Sequence, residues 1–115
     1  MKILLVDDEP DIIDCLQDYL ELAGHNIITA DNGTTAIRVL KHHVADMIIS
    51  DIRMPIMDGI AFKKQLGLDI PFIFMSGHLD DEIVLQGAGL DYQGFLFKPF
   101  KLADLRQLLQ QCQPA

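Results

Sequence analysis

Cysteine, basic residues and long apolar runs are all scarce in this 115-residue chain, which has 2 Cys and 9 Lys and Arg against 17 Asp and Glu. Each scarcity excludes something. Cys15 and Cys112 lack metal-like spacing and fall among apolar residues of expected helices, so they are expected to be buried, inert thiols, not a disulfide. The net charge of −8 disfavours attraction to nucleic acid or an anionic membrane, and no direct DNA binding is expected. After Met1 and Lys2 only Ile3 to Val6 are apolar before the acids begin, too short for a signal peptide or a spanning helix. A cytoplasmic protein is the expectation. Linkers, low-complexity segments and charge blocks are missing too, and the length leaves room for one domain over residues 1–115.

What is present is an alternation of short aliphatic runs with amphipathic stretches. Lys2 to Val6, Ile27 to Thr29, Met47 to Ser50, Phe72 to Met75 and Phe95 to Phe97 are the expected strands. Continuous apolar runs of this kind suit a parallel sheet covered on both faces. Pro10 opens the first expected helix and Gly24 stops it, with Ile12, Leu16, Tyr19, Leu20 and Ala23 at helical spacing between them. Ala36, Val39, Leu40 and His43 mark a second helix, and Ile60 to Leu66 a third. Asp80 to Gln86 gives a short fourth, curtailed by Gly87 and Gly89, and Leu102, Leu105, Leu108, Leu109 and Cys112 a fifth. The expected fold class is α/β: an open, doubly wound, flavodoxin-like parallel sheet of five strands with five helices, since a barrel of eight units needs about twice this length. Ligands of such sheets bind beyond the carboxyl ends of the strands, where strand order reverses.

The residues at those strand ends carry chemistry. Asp7, Asp8 and Glu9 follow the first strand and Asp51 the third; with strand order 2-1-3-4-5 these strands are neighbours and their carboxylates converge. Like charges so close raise one another's pKa unless a cation neutralises them. Oxygen donors without His or Cys point to Mg²⁺, with Mn²⁺ as its substitute. The bland alternative is that Asp7 and Asp8 cap the first helix. Ser76 follows the fourth strand and Lys98 the fifth, so one crevice receives carboxylates, a hydroxyl and an ammonium. Phosphoryl transfer needs this set: a carboxylate nucleophile in Asp51, a metal, and donors from Lys98 and Ser76 to the transferring oxygens.

Four motifs, Asp7-Asp8, the run from Asp51 to Gly59, Met75-Ser76-Gly77 and Phe95-Leu-Phe-Lys98-Pro99-Phe100, make the chain resemble the receiver domains of bacterial response regulators over nearly its whole length. The resemblance implies Mg²⁺ held by Asp8, Asp51 and the backbone carbonyl of Arg53, with Asp7 acting through water. It implies a histidine kinase or histidine phosphotransfer domain as phosphoryl donor, and a downstream effector protein or domain as reader. The chain would then be no conventional enzyme, although it would catalyse its own phosphorylation and dephosphorylation. It implies a switch in which phosphorylated Asp51 draws Ser76 inward and Phe95 fills the vacated space; lacking a tyrosine hydroxyl, Phe95 is expected to favour the inward position. A cis Lys98–Pro99 bond is expected on the same ground. The segment Gly87 to Gly94 resembles receivers attached to hybrid histidine kinases more than those of DNA-binding regulators, and the chain is expected to be stand-alone or excised from a longer protein. Arg53 and His78 fall where receivers line the approach of hydrolytic water; Arg53 is expected either to screen the acyl phosphate or to point to solvent. An Asp-x-Asp phosphohydrolase would need a different first loop and a cap domain, and a flavin carrier a hydroxyl- and glycine-rich phosphate loop in place of Asp-Asp-Glu.

Overall fold

A computed structural model describes residues 1–78 and 80–112. The strands are β1 (Lys2–Val6), β2 (Asn26–Ala30), β3 (Met47–Asp51), β4 (Phe72–Ser76) and β5 (Gly94–Phe97). The helices are α1 (Pro10–Leu22), α2 (Gly33–Leu40), α3 (Gly59–Leu66), α4 (Asp80–Gly87) and α5 (Leu102–Cys112), alternating with the strands throughout. The sheet is wholly parallel in the order β2-β1-β3-β4-β5, as the strand-end chemistry required.

Successive side chains of a strand point to opposite faces, so each central strand feeds two cores. Ile3, Leu5, Met47, Ile49, Ile73 and Met75 face Leu16 and Leu20 of α1 and Leu105 and Leu109 of α5. Leu4, Val6, Ile48, Phe72 and Phe74 face the other way, against Ala36 of α2, Phe62 of α3 and Leu85 of α4. Burial on both faces explains why these strands read as unbroken apolar runs. Among the described residues no helix is long and apolar enough to cross a membrane.

Local chemistry sets the helix boundaries. Pro10 occupies the first turn of α1, where its missing N–H costs nothing. Asn32 and Asp58 cap α2 and α3, accepting the N–H groups of Thr35 at 3.0 Å and Ala61 at 2.7 Å. The second helix therefore starts and stops earlier than its apolar spacing suggested, leaving His43 outside it. Gly87 lies within α4, and the chain turns instead at Gly89, whose φ is +68°.

The cysteine expectation needs correction. Both thiols are free, but Cys15 is exposed and Cys112 half-buried. The buried stripe of α1 runs through Leu16 and Leu20, which turns Cys15 outward. Burial pushes the Cys112 thiol above its ordinary pKa.

The loop after β3 holds one strained residue, Ile56, with φ +68° and 84 % of its surface exposed. Left-handed backbone costs a non-glycine residue about 1–2 kcal/mol, and a β-branched one is the least suited to it. Ile56→Gly is expected to raise the urea midpoint by an amount equivalent to about 1 kcal/mol, because almost no burial is lost in exchange. Chemical denaturation of both proteins checks this, and an unchanged midpoint would show that the strain is already relieved.

Candidate functional site

The carboxyl edge of the sheet gathers side chains from four adjacent strands. Asp7 directly follows β1, Asp51 and Ser76 are the last residues of β3 and β4, and Lys98 directly follows β5. Because β1, β3, β4 and β5 are consecutive in the sheet, these positions form one row across its top. The Lys98–Pro99 peptide bond is cis, as expected.

Lys98 is the hub of the acidic cluster. Its Nζ lies 2.9 Å from Asp7 Oδ2, 3.0 Å from Asp51 Oδ2 and 3.6 Å from Glu9 Oε1. Asp7 and Asp51 are buried, whereas Asp8 and Glu9 are exposed. One ligand oxygen from each of Asp7, Asp8, Glu9 and Asp51 can be chosen so that all lie within 4.8 Å of one another. Asp7 does not cap α1: its Oδ1 accepts the N–H of Glu9 at 2.9 Å, and the N-cap residue is Glu9, with no side-chain cap. The capping alternative for Asp7 therefore falls, and Asp7 is left facing Lys98.

The cluster's electrostatics follow from burial and crowding. Burial raises the Asp7 carboxyl above its ordinary range and the Asp51 charge adds to this, against the opposing pull of Lys98 and the Glu9 N–H. Burial works the other way on Lys98, but its hydrogen bonds and charge contacts with Asp7 and Asp51 outweigh it and hold the ammonium above its ordinary pKa. A single cation thus serves three carboxylates. An all-oxygen donor set with surplus negative charge matches the preference of a hard divalent ion.

Ser76 and Arg53 share a partner in Asp81. Ser76 is fully buried and its hydroxyl donates to Asp81 Oδ2, while accepting the His78 N–H at 3.0 Å. The guanidinium of Arg53, with 56 % of its side chain exposed, is paired with Asp81. It grips Asp81 with two nitrogens, Nη2 to Oδ1 at 3.0 Å and Nε to Oδ2 at 3.1 Å. Burial would raise the Asp81 carboxyl, yet hydrogen bonds from Arg53 and Ser76 and the Arg53 charge hold it below the ordinary carboxylate range. Phe95 is half-buried against the second core.

The fold therefore brings Asp7, Asp8, Asp51 and Lys98 together, with Ser76 one strand away. Sequence reasoning did not assign Glu9 or Asp81 to the site. Glu9 was legible as the third acid of its loop. Asp81, in the run Asp80-Asp81-Glu82, has the signature of ordinary helix-start acids. Its pairing across 28 residues with Arg53 leaves no mark in the sequence.

Taken together, five parallel strands in this order with acids and one lysine at their carboxyl ends define a doubly wound α/β module with a cation-seeking crevice. Comparison with known proteins narrows the class. A family model described as the response regulator receiver domain matches residues 3–110. The C4-dicarboxylate transport transcriptional regulatory protein DctD of Rhizobium meliloti is 39 % identical over 102 residues, 86 % of this chain and 22 % of that protein. The chemotaxis response regulator CheY4 of Vibrio cholerae superposes with a TM-score of 0.87 at 30 % identity, covering 97 % of this chain and 98 % of the other. The receiver domain of a sensor histidine kinase from Pseudomonas aeruginosa, solved with a magnesium ion coordinated in its active site cleft, superposes at 0.82 with 29 % identity, covering 96 % and 94 %.

The chain belongs to the response regulator receiver domain family. Domains of this family are phosphoacceptor signalling modules of two-component systems, not conventional enzymes. The chain spans 21 to 41 % of the length of the first curated relatives it matches.

Proposed function

We propose that Asp51 accepts a phosphoryl group from a phosphohistidine on a histidine kinase or histidine phosphotransfer domain, and that the change is read by an effector at the face around Phe95 and α5. The observation that carries this reading is the buried Asp51 carboxylate, 3.0 Å from Lys98 Nζ within a cluster of four acids. An Asp51 oxygen attacks phosphorus in line, the bond from phosphorus to the histidine nitrogen breaks, and the imidazole leaves with that electron pair. Lys98 stays within reach of the oxygens that carry the transferred charge, and Ser76 turns to donate to another of them. The reverse of activation is attack by water on the acyl phosphate, which returns Asp51 and releases inorganic phosphate. Asp8, Asp51 and the backbone carbonyl of Arg53 would hold Mg²⁺, with Asp7 supporting it through water. When bound, the ion supplies charge neutralisation among the acids and on the phosphoryl oxygens. The switch residues are Ser76 and Phe95, and the net charge of −8 favours protein partners over nucleic acid in a cytoplasmic setting.

Incubating the protein with acetyl phosphate and Mg²⁺ is expected to add the mass of one phosphoryl group, stable in acid and released by hydroxylamine. Asp51→Asn is expected to add none, and an equal gain in the variant overturns the assignment.

Metal binding has its own readout. At Mg²⁺ about ten times its Kd, linkage adds about 1.4 kcal/mol, which for a domain of this size is a rise in Tm of about 5 °C. The rise is expected to vanish in Asp8→Asn, whose exposed side chain has no other packing duty. A variant that keeps the full rise excludes Asp8 as a ligand.

A further inference from the structure

Asp81 occupies a position that the phosphoryl chemistry itself does not require. It sits in the first turn of α4, its side chain is only 7 % exposed, and its oxygens are taken up by the Ser76 hydroxyl and the Arg53 fork. Each contact reaches toward the candidate site from a different side. Ser76 ends the strand beside β3, and Arg53 lies two residues beyond Asp51. Asp8, Arg53 and Asp81 also line one open cleft of about 460 Å³.

A serine hydroxyl carries a single proton. While Ser76 donates it to Asp81, it has none for a phosphoryl oxygen on Asp51. The bond it must give up is charge-assisted, and such bonds exceed neutral ones in strength. From these contacts we infer that Asp81 is a positioning residue that opposes phosphorylation by holding Ser76 outward, and that its release couples the site to α4. This rests on Asp51 being the phosphoacceptor. When Ser76 turns to the phosphoryl group, the side-chain tie between the end of β4 and the first turn of α4 is lost. Asp81 then keeps only Arg53, whose side chain is 56 % exposed. The departure of that hydrogen bond removes the side-chain link from β4 and leaves the start of α4 tied to the loop after β3 through Arg53 alone among the Asp81 side-chain contacts. The same clasp gives Arg53 its place: its guanidinium is the counter-ion of a buried carboxylate that would otherwise lack a cation.

The test measures the Kd of beryllofluoride in the presence of Mg²⁺ by calorimetry on wild type, Asp81→Ala, Ser76→Ala and the double variant. Removing the competing acceptor is expected to tighten binding in Asp81→Ala about tenfold, equivalent to about 1.4 kcal/mol. In the Ser76→Ala background the same substitution is expected to change nothing, because no hydroxyl remains to be held. The His78 amide donates to Ser76 Oγ at 3.0 Å and reports the serine directly. Its resonance in unliganded Asp81→Ala is expected to move toward its position in the liganded wild type. If Asp81→Ala does not fold, Asp81→Asn keeps the shape and weakens the acceptor, and a gain of about threefold is expected. Wild type that fails to bind beryllofluoride removes the phosphoacceptor reading and this one with it. Wild type that binds, with variants equal or weaker, overturns the clasp alone. A gain that persists without Ser76 overturns its route through the serine.

Discussion

Lys98→Met is expected to slow phosphorylation by acetyl phosphate about 100-fold and to destabilise the Mg²⁺-free protein at the same time. The first effect has the size seen when one donor to a developing oxyanion is removed, about 10²–10³ in rate. Methionine keeps much of the aliphatic length of lysine, so the loss is one of charge and hydrogen bonds more than of packing. The second effect follows from the three carboxylates that Lys98 serves at 2.9, 3.0 and 3.6 Å. Breaking a buried pair by deleting one partner costs about 3–5 kcal/mol. Lys98 sits at a rim with 15 % of its side chain exposed, so water softens the loss to about 2 kcal/mol.

The pH dependence separates this from a packing defect. Lys98 is held above its ordinary value of 10.5, so folded protein binds more protons than unfolded protein above that pH. Its stabilisation is therefore complete below 10.5 and is lost as pH rises through the folded-state value. Denaturation midpoints measured from neutral to alkaline pH are expected to fall in wild type, with the lysine's share of that fall missing in Lys98→Met. Asp7 acts with the same sign at the acid end, because its pKa too is raised on folding. Its raised pKa means that stability falls as pH climbs from 3.8 through the folded value, and removing Lys98 steepens that fall. Parallel curves for the two proteins would mean that the ammonium contributes nothing to the fold.

Gly59→Ala is expected to be the most damaging substitution of a single methyl group. A Cβ at Gly59 would stand 2.3 Å from the Asp51 carbonyl oxygen and 3.1 Å from Ile52 Cα. Both are backbone atoms, so no rotamer change relieves the clash. The N–H of Gly59 also donates to the Ile52 carbonyl at 2.8 Å, which pins the start of α3 against the end of β3. Alanine gains up to about 1 kcal/mol of helix propensity over glycine, but overpacking of this kind costs about 3 kcal/mol or more. A urea midpoint lowered by about 1 M or more is the expected result. Phosphorylation is expected to fall beyond the loss of folded protein, since an ångström of displacement at Asp51 is worth about 100-fold in rate. A variant with unchanged midpoint and rate would show that the backbone of the loop yields freely.

Much of this molecule is legible in one dimension. The strands announce themselves because both faces of a parallel sheet are buried, so Ile3 to Val6 and Phe72 to Met75 carry no polar interruption. The loop acids and Lys98 are legible for a related reason. A residue just past a buried strand stands at the carboxyl edge, whichever strands turn out to be neighbours. Helix starts were less clear where capping set them: α2 begins at Gly33 because Asn32 accepts the Thr35 N–H, not because of its apolar spacing. The exposure of Cys15 was misjudged because one position along a helix is a rotation of about 100°.

The sequence by itself determined the alternating α/β architecture, the strand-end positions of Asp7, Asp51, Ser76 and Lys98, and the excess of acid over base that asks for a cation. All of these are consequences of local pattern and charge count. Tertiary structure alone decided how those side chains spend their bonds. Lys98 reaches across 91 residues to Asp7 and across 47 to Asp51. Ser76 turns toward Asp81, and Arg53 turns with it. Such choices depend on which neighbour comes within about 3 Å once the sheet and α4 have packed. Hydrogen bonding falls off within a fraction of an ångström, a scale that no residue spacing encodes.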